Sequence, residues 1–106
     1  MRDHRYCLVL FVVFLSYLSY SQQPIKLDEI VSSPQFEEYA PSVNATGKTL
    51  IFESNRESSN TWRLYETNLD FNWKWTKPIS ITNINNFGKP DDLIGGPSIS
   101  YDGNTL

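Results

Sequence analysis

The sequence predicts an all-β fold in which antiparallel strands follow one another along the chain. Residues 49–54 and 62–68 are rich in β-branched and aromatic side chains, and polar, turn-forming residues separate them. In residues 77–82, Ile79 and Ile81 fall on one face of an extended chain, which is typical of a half-buried strand. No helical period extends over three turns in this part of the chain. We therefore expect these three segments to form a meander.

The first 21 residues are expected to form a helical signal peptide that is removed on export. Basic side chains near the N-terminus precede an apolar run over residues 6–18, and Ser19 and Ser21 supply small side chains before the predicted cleavage site. The run is shorter than the roughly 20 residues that a membrane-spanning helix needs. We expect cleavage after Ser21, which leaves Gln22 as the N-terminus and no membrane span. The alternative is an uncleaved anchor.

Loss of the leader would change the chemistry available to the chain, because Cys7 and His4 are its only cysteine and its only histidine. Without them, neither a Cys–His nor a Ser–His–Asp arrangement can be assembled. Cys7 also lies at the start of the apolar run, whereas a lipoprotein cysteine follows its end. The sequence therefore predicts a protein without catalytic residues, cofactor or lipid anchor.

The net charge argues against a nucleic-acid partner. The chain has nine Lys and Arg and twelve Asp and Glu residues, and without Arg2, Arg5 and Asp3 it keeps seven and eleven, a net charge of −4. Binding to phosphates requires a basic face, and the remaining basic residues are scattered along the sequence.

Residues 22–38 are expected to form a lead-in segment before the first repeat. Pro24 and Pro34 prevent one long helix there. Around residues 25–31, the pattern is compatible with either a short strand or one helical turn.

The decisive pattern is an internal repeat with an offset of 56 residues. Residues 40–50 read APSVNATGKTL and residues 96–106 read GPSISYDGNTL, with five identities in 11 gap-free positions. Self-similarity at such a period indicates a repeat architecture. We assign residues 39–94 to a first repeat and residues 95–106 to the truncated start of a second, with the strand that would follow Leu106 missing.

Each copy is expected to start a short strand at its proline, Pro41 or Pro97, and then to enter a tight turn. Gly47 and Gly103 would supply the positive φ that this turn requires. The Asp102-Gly103 pair is the stronger hairpin signal, because the first copy has threonine before its glycine.

These residues resemble the WD-like β-propeller repeats of the TolB type, whose signature runs P-x-x-S-x-D-G-K-x-L-x-F-x-S-x-R. The segment WKWTKPISITNINN at 73–86 also resembles part of exported bacterial versions, including those that precede OmpA-type peptidoglycan-binding domains. Asn44 and Thr46 replace the usual serine and aspartate, so we expect altered turn contacts in the first copy. The signature positions, all expected to be structural, are Pro41, Ser42, Gly47, Leu50, Phe52, Ser54, Arg56, Trp75, Pro78, Pro97, Ser98, Asp102, Gly103 and Leu106.

The resemblance implies a blade of four antiparallel strands, with further blades in the parent chain. It implies an interaction or envelope scaffold that is periplasmic, outer-membrane-associated or secreted, and whose partner is a protein or a cell-envelope component. The alternative is an accessory propeller domain of an exported hydrolase or peptidase. A downstream G-x-S-x-G elbow would favour the enzyme, and an OmpA-type domain would favour the scaffold.

Two carboxylate pairs, Glu37-Glu38 and Asp91-Asp92, could in principle hold a cation. They lack the alternating spacing of a calcium loop, so the sequence predicts solvated loop charges and no metal site.

A cluster of aromatic residues could form a ligand platform, but packing between blades is the favoured interpretation. Trp73 and Trp75 are expected to share one strand face. Arg56 is expected to pair with a carboxylate of a neighbouring strand. The other aromatic residues considered are Trp62, Tyr65 and Phe71.

Overall fold

The computed structural model describes residues 24–106, so the leader and the expected cleavage after Ser21 lie outside it. It contains the strands β1 (Glu38–Val43), β2 (Thr49–Ser58), β3 (Thr61–Asn68) and β4 (Ile79–Ser80), followed by a helical turn, α1 (Thr82–Asn85). The strands form one antiparallel sheet in the order β1-β2-β3-β4. The all-β prediction is confirmed for the described residues.

The two central strands, β2 and β3, are those with the strongest strand signals, and both are longer than predicted. Successive side chains of a strand point to opposite faces of the sheet. Phe52 lies opposite Tyr65 in the register, and the buried Leu50 shares their face. We call this side the lead-in face. The opposite side, which buries Ile51 and Leu64, is the repeat face.

The lead-in segment crosses the lead-in face as one helical turn. The carbonyl of Asp28 accepts hydrogen bonds from the N–H groups of Val31 (2.9 Å) and Ser32 (3.0 Å), so the helical alternative is the one observed. The turn places Val31, which is 3% exposed, in the hydrophobic core. Burial of a valine side chain stabilises a fold by about 1.5 to 3 kcal/mol. The other core members are Leu50, Phe52 and Tyr65, with Trp75 packed against them.

β1 is an edge strand interrupted by a bulge. Its pairing with β2 is regular up to Tyr39 and resumes at Ser42, with Ala40 (φ 49°) and Pro41 between them. Pro41 therefore lies inside the strand and not at its predicted start. A bulge on an edge strand accommodates proline because no ladder hydrogen bond is required from its nitrogen. Residues 97–100 form no strand, so the expected strand start at Pro97 is also wrong.

β4 is much shorter than predicted. Only Ile79 and Ser80 pair with β3, and Ile79 is 70% exposed, so the prediction that it lies with Ile81 on a half-buried strand face is wrong. The N–H of Ile81 still donates to the Leu64 carbonyl (3.0 Å) before the chain enters α1. The pairing of β4 with β3 ends there because the side chain of Asn85 binds the N–H and the carbonyl of Leu64 on β3.

From α1 the chain returns past the strands toward β1. Three of its N–H groups bind successive strands. The N–H of Ile94 donates to the Trp62 carbonyl of β3 (3.0 Å), and the N–H of Gly96 donates to the Glu53 carboxylate of β2 (2.8 Å). The N–H of Ile99 donates to the Ser42 hydroxyl of β1 (3.0 Å). A Cβ atom on Gly95 would overlap a carboxylate oxygen of Glu53, so this close approach depends on glycine. The second repeat thus begins beside β1.

Candidate interaction surface

The turns around Gly47 and Gly103 have the same backbone hydrogen bonds, 56 residues apart. The N–H of Gly47 donates to the Asn44 carbonyl (3.0 Å), and the N–H of Gly103 donates to the Ser100 carbonyl (2.9 Å). The two glycines have the expected positive φ, at 69° and 78°. The sequence repeat is therefore also a structural repeat at these turns.

Side chains brace both turns, with donor and acceptor exchanged. The Thr46 hydroxyl donates to Oδ1 of Asn44 (3.1 Å), whereas the Ser100 hydroxyl donates to the carboxylate of Asp102 (2.6 Å). The turn contacts of the first copy are therefore altered, as predicted: the direction of this bond is reversed, and Oδ1 of Asn44 also accepts a hydrogen bond from the Lys48 N–H (3.2 Å). The Ser100 hydroxyl, and then the Asn104 N–H, lower the pKa of the exposed Asp102 carboxyl.

The two turns also touch each other. The N–H of Ala45 donates to the carbonyl of Tyr101 (3.0 Å), and these residues hold equivalent positions in the two copies. A Cβ atom on Gly103 would lie 3.4 Å from Nδ2 of Asn44, so the backbone of one turn lies against a side chain of the other. Equivalent parts of successive repeats are therefore neighbours.

Arg56 joins the lead-in segment to the sheet. Its guanidinium donates to the carbonyl of Val31 (3.1 Å) and to the carboxylate of Glu38 on β1 (3.2 Å). It also lies 4.9 Å from the ring centres of both Phe52 and Tyr65, within the range of cation–π attraction. The predicted pairing of Arg56 with a carboxylate of a neighbouring strand is observed.

Each face of the sheet carries an open cleft. The lead-in cleft, of about 240 Å³, lies between Leu27 and Val31 of the lead-in segment and Leu50 and Phe52 of β2. The repeat-face groove, of about 300 Å³, lies between the β2–β3 surface, α1 and the second repeat. Its principal lining side chains are Ile51, Glu66, Ile81, Asn83, Ile84, Ile99 and Leu106.

Three of the four paired carboxylates form contacts within the fold. Glu38 binds Arg56, Glu37 accepts a hydrogen bond from the Asn55 amide (3.3 Å), and Asp92 accepts one from a backbone N–H (2.8 Å). Within residues 24–106, His, Cys, Asp and Glu side chains form no group of three that could hold a metal ion. The helices of that same stretch include none with the length and apolar character needed to cross a membrane.

The aromatic residues do not form one platform. Tyr65 is buried on the lead-in face, whereas Trp62 lies on the repeat face with its ring centre 5.3 Å from that of Tyr39. Phe71 is exposed, and Trp73, with φ 61° and 74% exposure, lies in a turn. The prediction that Trp73 shares a strand face with the half-buried Trp75 is therefore wrong.

Asp70 causes this turn. Its carboxylate accepts hydrogen bonds from the N–H groups of Asn72 (2.8 Å) and Lys74 (3.0 Å), and its carbonyl accepts one from that of Trp73 (3.0 Å). An aspartate side chain bonded to the backbone two residues later is a common turn device. Asp70 and Asn72, whose residue types favour turns, are the sequence signal for this turn.

Two buried polar residues have roles that sequence reasoning missed. Asn85 accepts a hydrogen bond from the Leu64 N–H (2.9 Å) and donates to the Leu64 carbonyl (2.8 Å), so its amide acts as a strand residue at the edge of β3. Arg63, 5% exposed, donates to the carbonyls of Lys89 (2.6 Å) and Asp92 and holds that loop over the end of β3. Only their position among apolar residues hinted at burial.

Tyr65 has the most perturbed titratable group of the described chain. Its hydroxyl is buried and has no hydrogen-bond partner among residues 24–106, although the Glu57 carboxylate lies nearby. Burial raises the pKa of Tyr65 well above its ordinary value, and the negative charge of the nearby Glu57 carboxylate raises it further. The phenol is therefore a packing group and not a base at neutral pH.

The signature residues of the first repeat mostly support the lead-in face. Leu50 and Phe52 form its core, Ser54 is fully buried and accepts a hydrogen bond from Arg56 (3.2 Å), and Trp75 packs at its margin. Pro78 is buried, Ser98 is exposed and Pro97 is half-buried.

Comparison of the chain with protein-family models, with curated proteins and with solved structures gave no match.

Proposed function

We propose that this chain belongs to an exported, non-enzymatic β-propeller of the TolB type, in which residues 39–94 form one blade and residues 95–106 begin the next. The observation that carries the proposal is a pair of equivalent turns: that at Gly47 joins the first two strands of a four-stranded antiparallel meander, and that at Gly103 follows the meander. A propeller blade is such a meander, and its blades recur along the chain at a regular period.

The path between the turns supports this arrangement. Blades around a common channel require the chain to return from the far edge of one sheet to the near edge of the next sheet. Here the chain leaves β4 and returns past β3 and β2 to β1, where the second turn lies beside the first.

The two-sided core also supports it. Val31, Leu50 and Phe52 are buried on or against one face, and Ile51 and Leu64 are buried on the other. A sheet with apolar residues on both faces packs between two neighbours, as a blade does.

The proposed role is to bind a protein or a cell-envelope component. Tyr39, Val43 and Leu93 are large apolar side chains that remain more than half exposed. Export would remove the only cysteine and the only histidine, which favours binding over nucleophilic catalysis. The proposed location is the periplasm, the outer-membrane surface or the medium.

The test is the domain content of the native exported protein, captured with an antibody against residues 39–94 and mapped by peptide mass spectrometry. We expect Gln22 at its N-terminus and several further repeats spaced by about 56 residues. A native protein without further repeats would contradict the proposed propeller fold. A G-x-S-x-G elbow with later Asp and His would instead favour the accessory domain of a hydrolase or peptidase.

A further inference from the structure

A hairpin extends past the end of β3 and closes at residues 70–74, which we call the aromatic tip. The N–H of Thr76 donates to the Asn68 carbonyl (2.9 Å), and the N–H of Asp70 donates to the Lys74 carbonyl (2.9 Å). A sheet packed on either face would contact the side chains of the strands, whereas the tip lies beyond the strand ends. The tip lines neither the lead-in cleft nor the repeat-face groove, so it is a surface of its own.

Two large apolar side chains of the tip are held in solvent. Phe71 is 91% exposed and Trp73 is 74% exposed. Their exposure to water is unfavourable, and the positive φ of Trp73 (61°) is a further cost for a bulky residue. Three hydrogen bonds accepted by Asp70 hold this conformation. The aromatic side chains are therefore presented from a fixed backbone and are not buried against the sheet.

The tip is basic, although the chain as a whole is acidic. Lys74 is part of it, and the ammonium group of Lys48 lies 5.7 Å from a ring centre of Trp73. Lys77 follows shortly after the tip, and all three lysines are exposed and form no ion pair within the described part of the chain. Residues 69–77 contain one acidic side chain, which backbone N–H groups bind. The exposed rings are therefore accompanied by an excess of positive charge.

We propose that the aromatic tip binds the surface of a membrane that contains anionic lipids. Aromatic side chains, tryptophan above all, partition to the boundary between lipid headgroups and acyl chains. Lysine side chains beside them keep their ammonium groups in the headgroup layer and attract anionic lipids. This inference rests on the proposed export, which would bring the tip to an envelope membrane, and it names the envelope component that the proposed function leaves open.

The shape of the tip favours a lipid surface over a small ligand. Small-molecule sites are concave and enclose most of the ligand, whereas the tip is a protruding turn in which residues 71–74 are all exposed. A protruding apolar turn can enter a deformable lipid layer, and the lysines match the charge of that layer.

Vesicle cosedimentation tests the proposal with the exported chain, secreted so that its apolar leader is removed and with its N-terminus verified. The probes are vesicles of phosphatidylglycerol and phosphatidylethanolamine, compared with vesicles of phosphatidylcholine alone. We expect tighter binding to the anionic vesicles, weakened about fivefold or more by high salt. Absence of binding to the anionic vesicles, or equal binding to both compositions, would overturn the proposal.

A double variant, Phe71→Ser with Trp73→Asn, removes both aromatic side chains. Asparagine tolerates the positive φ of this position, so the turn is kept. We expect the affinity for anionic vesicles to fall about tenfold or more. Phe87→Ser is the matched control, because Phe87 is 90% exposed outside the tip, and it should change the affinity by less than about twofold. Equal losses in the two variants would show general adsorption of exposed rings and would contradict the inference.

Lys74→Gln tests the contribution of charge and should lower the affinity for anionic vesicles about fivefold, with no change for neutral vesicles. Lys89→Gln is the matched control, since Lys89 is also exposed but lies outside the tip. The same loss in K89Q would mean that the net charge of the chain, and not the tip, determines binding.

Tryptophan fluorescence reports directly on insertion of the tip. Emission should shift to shorter wavelength on binding to anionic vesicles, because the indole of Trp73 leaves water. Trp73→Phe keeps an apolar side chain and should remove this shift. An unchanged shift in W73F would place a different tryptophan at the lipid and would rule out the assigned contact.

These outcomes are distinguishable from those of the proposed function. If further repeats are found in the native protein while the tip binds no vesicles, the present inference alone fails. If the tip instead retains the chain on peptidoglycan, and F71S/W73N abolishes that retention without any vesicle binding, the ligand is a glycan and the lipid proposal is wrong. Vesicle binding by a native protein without further repeats would leave the tip assigned and contradict the propeller.

Discussion

The N–H of Ala45 lies 3.0 Å from the carbonyl oxygen of Tyr101, and these residues are equivalent positions of the two repeat copies. The sequence repeat alone gives only the spacing of the two copies along the chain, whereas this hydrogen bond shows that the two turns lie side by side. Two copies of one turn lie in contact because the chain between them crosses the whole sheet and returns.

Gly47→Ala should lower the free energy of unfolding by about 1 to 2 kcal/mol, because a Cβ atom is unfavourable at positive φ. Space around Gly47 is open, so the cost would be purely conformational. Gly47→Asn should cost less, because an asparagine side chain tolerates this region of backbone conformation. Urea unfolding or amide exchange of β2 would measure both. Equal costs for the two variants would mean that φ is not the cause.

Gly95→Ala should destabilise the return segment, because its Cβ would overlap the Glu53 carboxylate that binds the Gly96 N–H. The carboxylate ends a flexible side chain and can move aside, so the expected cost is that of the lost hydrogen bond to Gly96, about 1 kcal/mol. In a Glu53→Ala background the same substitution should cost much less, since the overlapping atoms are gone. A double-mutant cycle on unfolding measures this coupling, and additive effects of the two changes would rule out the close approach.

Asn85→Asp should destabilise the edge of β3 by about 1 to 3 kcal/mol, because a carboxylate cannot donate to the Leu64 carbonyl and would be buried. Asn86→Asp is the matched control, since Asn86 is exposed, and should change stability by less than about 0.5 kcal/mol. Amide exchange at Leu64, whose N–H binds Asn85, is the direct measurement. Unchanged protection there in N85D would contradict the assigned role.

Tyr65 should make stability depend on pH in the alkaline range. Its pKa is raised in the folded chain, so its contribution is fully present below the ordinary tyrosine pKa of about 10 and is lost as pH rises from there through the raised value. Tyr65→Phe should remove this part of the alkaline loss, as measured by unfolding at a series of pH values.

At neutral pH, Y65F should be neutral or stabilising by up to about 1 kcal/mol, because the buried hydroxyl has no hydrogen-bond partner in the described chain to lose. A clear loss of stability in Y65F at neutral pH would reveal a partner for the hydroxyl.

The parts of the fold that the sequence predicted well are those set by neighbouring residues. β2 and β3 follow from local strand preference, and the left-handed turns follow from Gly47 and Gly103. The ion pair of Arg56 was also expected. Each of these depends on a pattern a few residues long or on a charge that needs a partner.

The parts that were missed depend on residues far apart in the chain. Arg63 is held by carbonyls of residues 26 and 29 positions later, and Asn85 ends β4 by binding a residue 21 positions earlier. Burial of these polar groups has no periodic signature in the sequence. Trp73 differs for another reason: its alternation with Trp75 predicts a strand, but the Asp70 carboxylate binds the following backbone N–H groups and forms a turn there.

The bulge in β1 has a consequence for how this chain avoids fibrous aggregation. Open sheet edges are templates on which further strands can grow, and long, flat edges are the most hazardous. One edge here is broken by Ala40 and Pro41, and the opposite edge, β4, spans only two residues. Neither edge of the sheet therefore offers a long, continuous row of free backbone groups for cross-β growth.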